Sequence, residues 1–288
     1  MAVFAKVAST RSFSGAAREL GISQATASKH VQTLEDWLGA RLLHRTTRRV
    51  ALTEVGEGFF VQCSRILEDM EAARSAARPE SPVRGTMRIT APVVFGSTRL
   101  GPLVSDFLHQ HPELTLNVEL SDRSIDLLEE GYDLAIRAGA ASGAGLVAWP
   151  IMPLDYMLCA APVYLSRHGT PTAPADLGTH HCITGTDVPS GGWRFEGPDG
   201  PSTVSIYGRL QVNNALLRCE AARAGAGILL CPSYLVDDDV SSGRLVRLLP
   251  DHRPASSTLH AVSPSHRAGS PKVRSLVNHL TTQLADAR

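Results

Sequence analysis

Gln24, Thr26, Ser28, Lys29 and Gln32 crowd one short stretch of the chain, and their types suit more than solvation. Amides and hydroxyls pair with base edges in a DNA major groove, and a cation there meets guanine or phosphate. A merely solvated helix face would carry mostly Glu and Lys. Four arginines follow within a few residues, Arg41, Arg45, Arg48 and Arg49. Arg45 and Arg48 suit backbone phosphates or the minor groove. Arg41 and Arg49 have Glu35 and Asp36 nearby as alternative partners, and His30 either touches phosphate or faces solvent.

A helix must hold those side chains on one face. Ala27, Val31, Leu34 and Leu38 recur at the spacing of a single apolar helical stripe. Ser23 can cap this helix and Gly39 end it; before it, Ser14–Leu20 reads as a helix capped by Ser14 and closed by Gly21. Residues 2–9 read as a first short helix with Phe4 and Val7 inward. Two short helices across a tight glycine turn make a helix-turn-helix. "RLLHRTTRRVALT" then alternates like a two-stranded ribbon, so residues 1–53 are predicted to form a winged helix-turn-helix. Charge agrees: residues 1–52 hold eight cations and three anions, net +5, and the rest of the chain balances this at −5. A basic module on an acidic body points to a polyanion partner for the first part only.

From Glu54 to about residue 78 runs a proline-free helix in which Val55, Phe59, Gln62, Ile66, Met70, Ala73 and Ala77 follow a coiled-coil spacing. Such a seam needs a partner. Val55, Phe59, Ile66 and Met70 are the dimerisation candidates, with packing on the chain's own module as the alternative. Pro79 and Pro82 make residues 79–85 a hinge. Beyond it strands and helices alternate, which predicts parallel sheets flanked by helices. "TMRIT", "LTLNVEL", "YDLAIRAG", "YMLCAAP", "LQVNN", "GILLCP" and "LHAVSP" read as strands; residues 97–110, 125–130, 215–224 and 272–285 read as helices.

"SFSGAARELGISQATASKHVQTLEDWLGARLLHRTTRRVALTEVG" resembles the winged helix-turn-helix of LysR-type transcriptional regulators, and "MRITAPVVFG", "HPELTLNVELSD", "LLEEGYDLAIRAG" and "GAGILLCP" resemble that family's effector domain. The resemblance spans essentially the whole chain. It implies an α+β multi-domain protein whose residues 86–288 form a two-subdomain, periplasmic-binding-protein-like effector domain. Subdomain I would hold about 86–154 and 258–288, subdomain II about 155–257, with the chain crossing near Leu154 and Ser257. It also implies promoter DNA and a small-molecule effector as partners, and a homodimer or homotetramer acting in a bacterial cytoplasm, on the nucleoid when bound. Family members carry several residues ahead of this start, so the first helix reads as truncated and Met1 as a misassigned start. Thr26-Ala27 stands where an apolar residue followed by Val is common.

A parallel sheet opens a ligand crevice at its strands' carboxyl ends. The loop Pro92, Val93, Phe95, Gly96 leads to a helix expected to begin at Ser97, whose amides favour an anion. Asn213 and Asn214 precede a second such helix. Arg137, ending a strand, binds a carboxylate or else pairs with Asp133 or Asp122. Gly139, Gly225 and Gly227 complete the effector candidates, although helix termination also explains one of the last two.

The sequence lacks GxSxG, a P-loop and HExxH, and "GAGILL" lacks the third glycine of a dinucleotide fingerprint. His180-His181-Cys182 has no further ligands nearby, and five scattered cysteines form no CxxC. No enzyme, metal or cofactor is expected, and no apolar run approaches a membrane span. A solute-binding protein without transcriptional action is the competing reading.

Overall fold

Two sequence features dictate the first unit: apolar spacing at helical period and glycines where left-handed backbone is needed. In a computed structural model, residues 1–45, 50–76, 83–139, 143–185 and 192–285 are described. They divide into two compact units, one holding the elements up to Ala76 and one those from Gly85 onward.

The first unit contains α1 (Ala2–Thr10), α2 (Phe13–Leu20), α3 (Gln24–Leu38), β1 (Leu43–Arg45), β2 (Val50–Leu52) and α4 (Glu54–Ala76). The cap of α2 is Ser12, not Ser14: Ser12 Oγ accepts the Gly15 amide at 3.1 Å. Ser23 caps α3 as expected, accepting the Thr26 amide at 3.0 Å. Gly21 and Gly39 take φ of 65° and 66° at the two helix ends, where the next residues' amides (Ile22, Ala40) return to Ala17 and Glu35 carbonyls. Only glycine adopts that backbone without strain. Phe4, Val7, Ala16, Val31, Leu42, Leu43 and Cys63 form the core, and β1 and β2 pair antiparallel as the wing.

In α4 the structure divides the expected seam. Phe59 packs inward with its ring centroid 5.6 Å from Phe4, and Phe60 and Leu67 join the same core. For Phe59 its own module is therefore the partner, which corrects its place among the dimerisation candidates. Val55, Ile66 and Met70 stay 58%, 47% and 65% exposed. Gly56 lets α4 lie against the chain before the wing: a Cβ there would meet the Leu42 carbonyl oxygen at 2.0 Å. The hinge prolines Pro79 and Pro82, the last residues of the expected linker helix and Ala77 lie outside the described residues.

The second unit holds two five-stranded sheets. The first is ordered β4-β3-β5-β15-β6, from β3 (Gly85–Ala91), β4 (Leu114–Leu120), β5 (Leu134–Ala138), β6 (Leu146–Leu154) and β15 (Ser257–Pro264). The second is β11-β8-β12-β7-β13, from β7 (Tyr156–Ala160), β8 (His181–Thr184), β11 (Tyr207–Gln211), β12 (Ile228–Pro232) and β13 (Val246–Arg247). A small third sheet joins β9 (Trp193–Gly197), β10 (Gly200–Val204) and β14 (Arg253–Pro254). We call the parts built on the first two sheets lobe I and lobe II. Both sheets are mixed rather than wholly parallel: β3 runs parallel to β4 and β5, while β15 is antiparallel to β5 and β6. Met87, Ile89, Phe107, Leu134, Leu276 and Leu280 centre the lobe I core, Leu158, Tyr164, Trp193, Phe195 and Ile228 one side of lobe II.

Three local expectations change. Residues 125–130 form a turn, not a helix, because Asp126 Oδ1 takes the Leu128 and Glu129 amides at 2.8 and 3.1 Å. The "LQVNN" strand ends at Gln211, before the asparagines. The helix expected at Ser97 starts at Val93, passes through a π turn over Gly96–Leu100 and continues as Gly101–Gln110.

Candidate DNA interface and effector cleft

The α3 surface places the predicted base-reading residues together. Its stripe sinks Ala27 and Val31 completely, and so leaves Gln24, Lys29 and Gln32 exposed with Thr26 and Ser28 beside them, half-buried. Thr26 Oγ1 lies 2.8 Å from the Ser23 hydroxyl. Gln32 Nε2 donates to Asp36 Oδ1 at 2.8 Å, so its amide exchanges that partner on meeting a base. Lys29 makes no ion pair among the described residues, and His30 is exposed. Arg45 closes β1, but its side chain, like Arg48 and Arg49 entirely, lies outside the described residues.

Glu35, one of the two acids within reach of Arg41 and Arg49 in the sequence, is 5% exposed. Its Oε1 accepts the Leu42 and Leu43 amides at 2.8 and 3.1 Å. The carboxylate thus ties the end of α3 to the start of the wing. Burying a charge is tolerated where hydrogen bonds meet it, and backbone amides, which have no residue type, leave no signal in sequence.

In the second unit a cleft of about 1070 Å³ opens between the lobes. Lobe I meets it with the carboxyl ends of β3, β4 and β5, at Pro92, Ser121–Arg123 and Arg137–Ala138, and with Val93 and Phe95 of the following helix. Lobe II meets it with Tyr156, Trp193, Arg194, Asn213, Asn214, Arg218 and Tyr234. Pro92, Val93, Phe95, Asp122, Arg137, Asn213 and Asn214, all expected from sequence, therefore share one cavity.

Five other candidates do not line it. Ser97 lies one turn into its helix and donates its hydroxyl to the Val93 carbonyl at 2.7 Å. Gly96 is small because Leu120 fills the space a Cβ would need, 2.1 Å away. Gly139 takes φ 90° and bonds back to the Thr258 carbonyl. Gly225, with φ 81°, faces Val163, and Gly227 lets the β8 backbone approach, its Cβ position 2.4 Å from the His181 oxygen. Close packing accounts for Gly96 and Gly227, and left-handed backbone for Gly139 and Gly225.

The helix N-terminus after Pro92 is already occupied by an anion of the chain: the Val93 amide donates to Asp122 Oδ1 at 3.0 Å. Asn214 caps the other helix, taking the Leu217 amide at 3.0 Å. Arg137 is held by Thr90 Oγ1 at 3.2 Å and the Ile136 carbonyl at 2.9 Å. Burial pushes its pKa down and the nearby Asp122 charge pulls it up. Asp133 was its other expected partner, but that carboxylate pairs with Arg267 at 3.1 Å and Lys272 at 3.2 Å. Burial pushes the Tyr234 phenol up to about 12, which keeps it protonated at neutral pH.

Sequence reading missed Arg218, Trp193, Arg194, Tyr156 and Tyr234. Arg218 stands one turn beyond Asn214, on the face that Ala215 also presents to the cleft, a placement that shows only once the helix is seen to border the cleft.

Comparison with known proteins joins the two units in one family. Residues 1–57 match the family model "Bacterial regulatory helix-turn-helix protein, lysR family", and residues 80–285 match "LysR substrate binding domain". The probable HTH-type transcriptional regulator LtrA of Klebsiella pneumoniae is 33% identical over 87% of this chain and 82% of its own length. The HTH-type transcriptional regulator DmlR of Escherichia coli is 35% identical over 99% and 93%. Among solved structures, CrgA, a LysR-type transcriptional regulator from Neisseria meningitidis, aligns with TM-score 0.63 at 31% identity, covering 98% of this chain and 97% of CrgA. Full-length AphB, the Vibrio cholerae virulence activator, gives TM-score 0.62 at 28% identity over 97% of each chain. No helix among the described residues is long and apolar enough to cross a membrane. The family consists of oligomeric transcriptional regulators that bind promoter DNA and small-molecule effectors and is not enzymatic, which removes the solute-binding alternative. The chain belongs to the LysR family of transcriptional regulators.

Proposed function

We infer that Gln24, Thr26, Ser28, Lys29 and Gln32 read bases in the major groove while Arg45 and Arg48 hold phosphates or the minor groove. In this reading residues 1–53 are the DNA module, 54–78 the dimerisation helix through Val55, Ile66 and Met70, 79–85 a hinge and 86–288 the effector domain. The protein works in the cytoplasm, on the nucleoid when bound, as a homodimer or homotetramer. A small organic anion in the cleft sets its DNA affinity. The observation that carries the effector half is the cleft's charge: among the described lining residues, Arg123, Arg137, Arg194 and Arg218 face the single acid Asp122.

A gel shift on the DNA upstream of the protein's own gene tests the reading. Binding should be specific, and should weaken steeply between about 50 and 200 mM salt as displaced counterions are replaced. Equal binding to scrambled DNA of the same composition would refute it.

A further inference from the structure

If the cleft takes the effector, as just inferred, its arginines define what that effector carries. Arg123 is already paired with Glu130 at 2.6 Å. Arg194 sits exposed at the rim. Arg137 and Arg218 differ from both. Arg137 is half-buried at the end of β5, oriented by Thr90 and its own backbone, with no ion pair among the described residues. Arg218, on the helix Ala215–Arg223, has its Nε buried and donating to nothing among the described residues, and makes no ion pair there either. Its neighbour Arg223 shows the contrast, bonded to Asp239 at 2.6 Å and Glu220 at 2.6 Å. Buried donors are rarely left unmet in native proteins, and a guanidinium presents a planar fork that matches a carboxylate.

The two arginines come from different lobes. We propose that the ligand is a small dicarboxylate that bridges the lobes, one carboxylate on Arg137 and the other on Arg218. A monocarboxylate would pair with one guanidinium and leave the other without a counter-charge among the described residues. A phosphate monoester fits less well at the Arg137 end, where Asp122 lines the same wall and repels a group carrying nearly two charges. Because each end is held by a different lobe, such a ligand favours the arrangement that brings both forks within reach.

Calorimetric titration of the full-length protein tests this with succinate, adipate and isophthalate against butyrate, hexanoate, benzoate and glycerol phosphate. At least one dicarboxylate should bind more tightly than its matched monocarboxylate and than glycerol phosphate. Arg137→Gln and Arg218→Gln should each weaken that dicarboxylate roughly tenfold or more, and its monomethyl ester should respond to only one of the two changes. The proposal is overturned by a dicarboxylate whose affinity ignores Arg218→Gln, by tighter monocarboxylate or phosphate binding, or by no dicarboxylate binding at all. If Arg218→Gln does not fold, Arg218→Lys keeps the charge and loses the fork; a several-fold loss supports the proposal and unchanged affinity overturns it. Ala138→Trp, which fills the cleft wall, separates this from the reading beneath it. A ligand of another class that Ala138→Trp blocks leaves the cleft reading standing while the dicarboxylate falls; binding that ignores Ala138→Trp removes both.

Discussion

A side chain reads DNA only if its neighbours keep it outside, and in α3 the buried Ala27 and Val31 do so for Gln24 and Lys29. A bidentate base contact is worth about 1–3 kcal/mol of discrimination. Gln24→Ala and Lys29→Ala should therefore reduce the preference for operator over random DNA by roughly that amount while leaving the melting temperature unchanged. Competition gel shifts measure it, and wild-type preference in both variants would remove α3 as the reading helix. This face was legible in sequence because helical periodicity separates wet from dry positions without any tertiary knowledge. Glu35 and Arg218 were not. Glu35 looks like any surface acid until the wing's amides are seen to converge on it. Arg218 becomes informative only once its helix is known to face the cleft.

At the scale of elements, local chemistry that competes with hydrophobic pattern decided where reading failed. Asp126 turned an apparent helix into a turn, and the π turn at Gly96–Leu100 moved a helix start by a full turn. β6 went unread because Pro150 and Pro153 interrupt it; it lies at the sheet edge, where missing donors cost no ladder bond. In α4 one apolar spacing covers two faces: Phe59 packs on Phe4, while Val55, Ile66 and Met70 are exposed, the face proposed above to meet a second chain. Ile66→Asp should yield soluble monomers by light scattering and weaken operator binding steeply, since two half-sites are no longer held together; an intact dimer would place the interface elsewhere. Lobe II depends on a different junction. Asp239, 3% exposed, receives Arg223 at 2.6 Å and Arg244 at 2.6 Å. Burial raises its pKa, but those bonds outweigh burial and hold it below the usual aspartate value. Its stabilisation is therefore complete at neutral pH and is lost as the pH falls below about 4 and through the depressed value. Asp239→Asn should cost about 1–2 kcal/mol at neutral pH, since the arginines left behind keep access to solvent, and urea titrations should show the gap to wild type closing in acid. A gap that stays constant would show that the charge is not what stabilises this junction.

For the whole molecule, the basic N-terminal stretch and the arginine-lined cleft belong to separate compact units, and regulation requires a free energy that couples them. A ligand supplies it only to the extent that it binds one lobe arrangement better than another; equal affinity for both shifts nothing. Couplings of this kind are typically about 1–3 kcal/mol, a change of about 5–150-fold in DNA affinity. Ala138 ends β5 on the cleft wall, exposed, with only a methyl group to fill the space. Ala138→Trp should therefore remove the ligand's effect on operator affinity while unliganded binding stays close to wild type, because the substitution touches none of the DNA-reading residues. The measurement is a ligand titration followed by DNA footprinting in wild type and variant, with the ligand found by calorimetry. A full response in Ala138→Trp would place the effector outside the cleft. Loss of unliganded DNA binding would show that the cleft wall already sets the DNA-competent state, so that the lobes hold a resting bias that the ligand then reinforces or opposes.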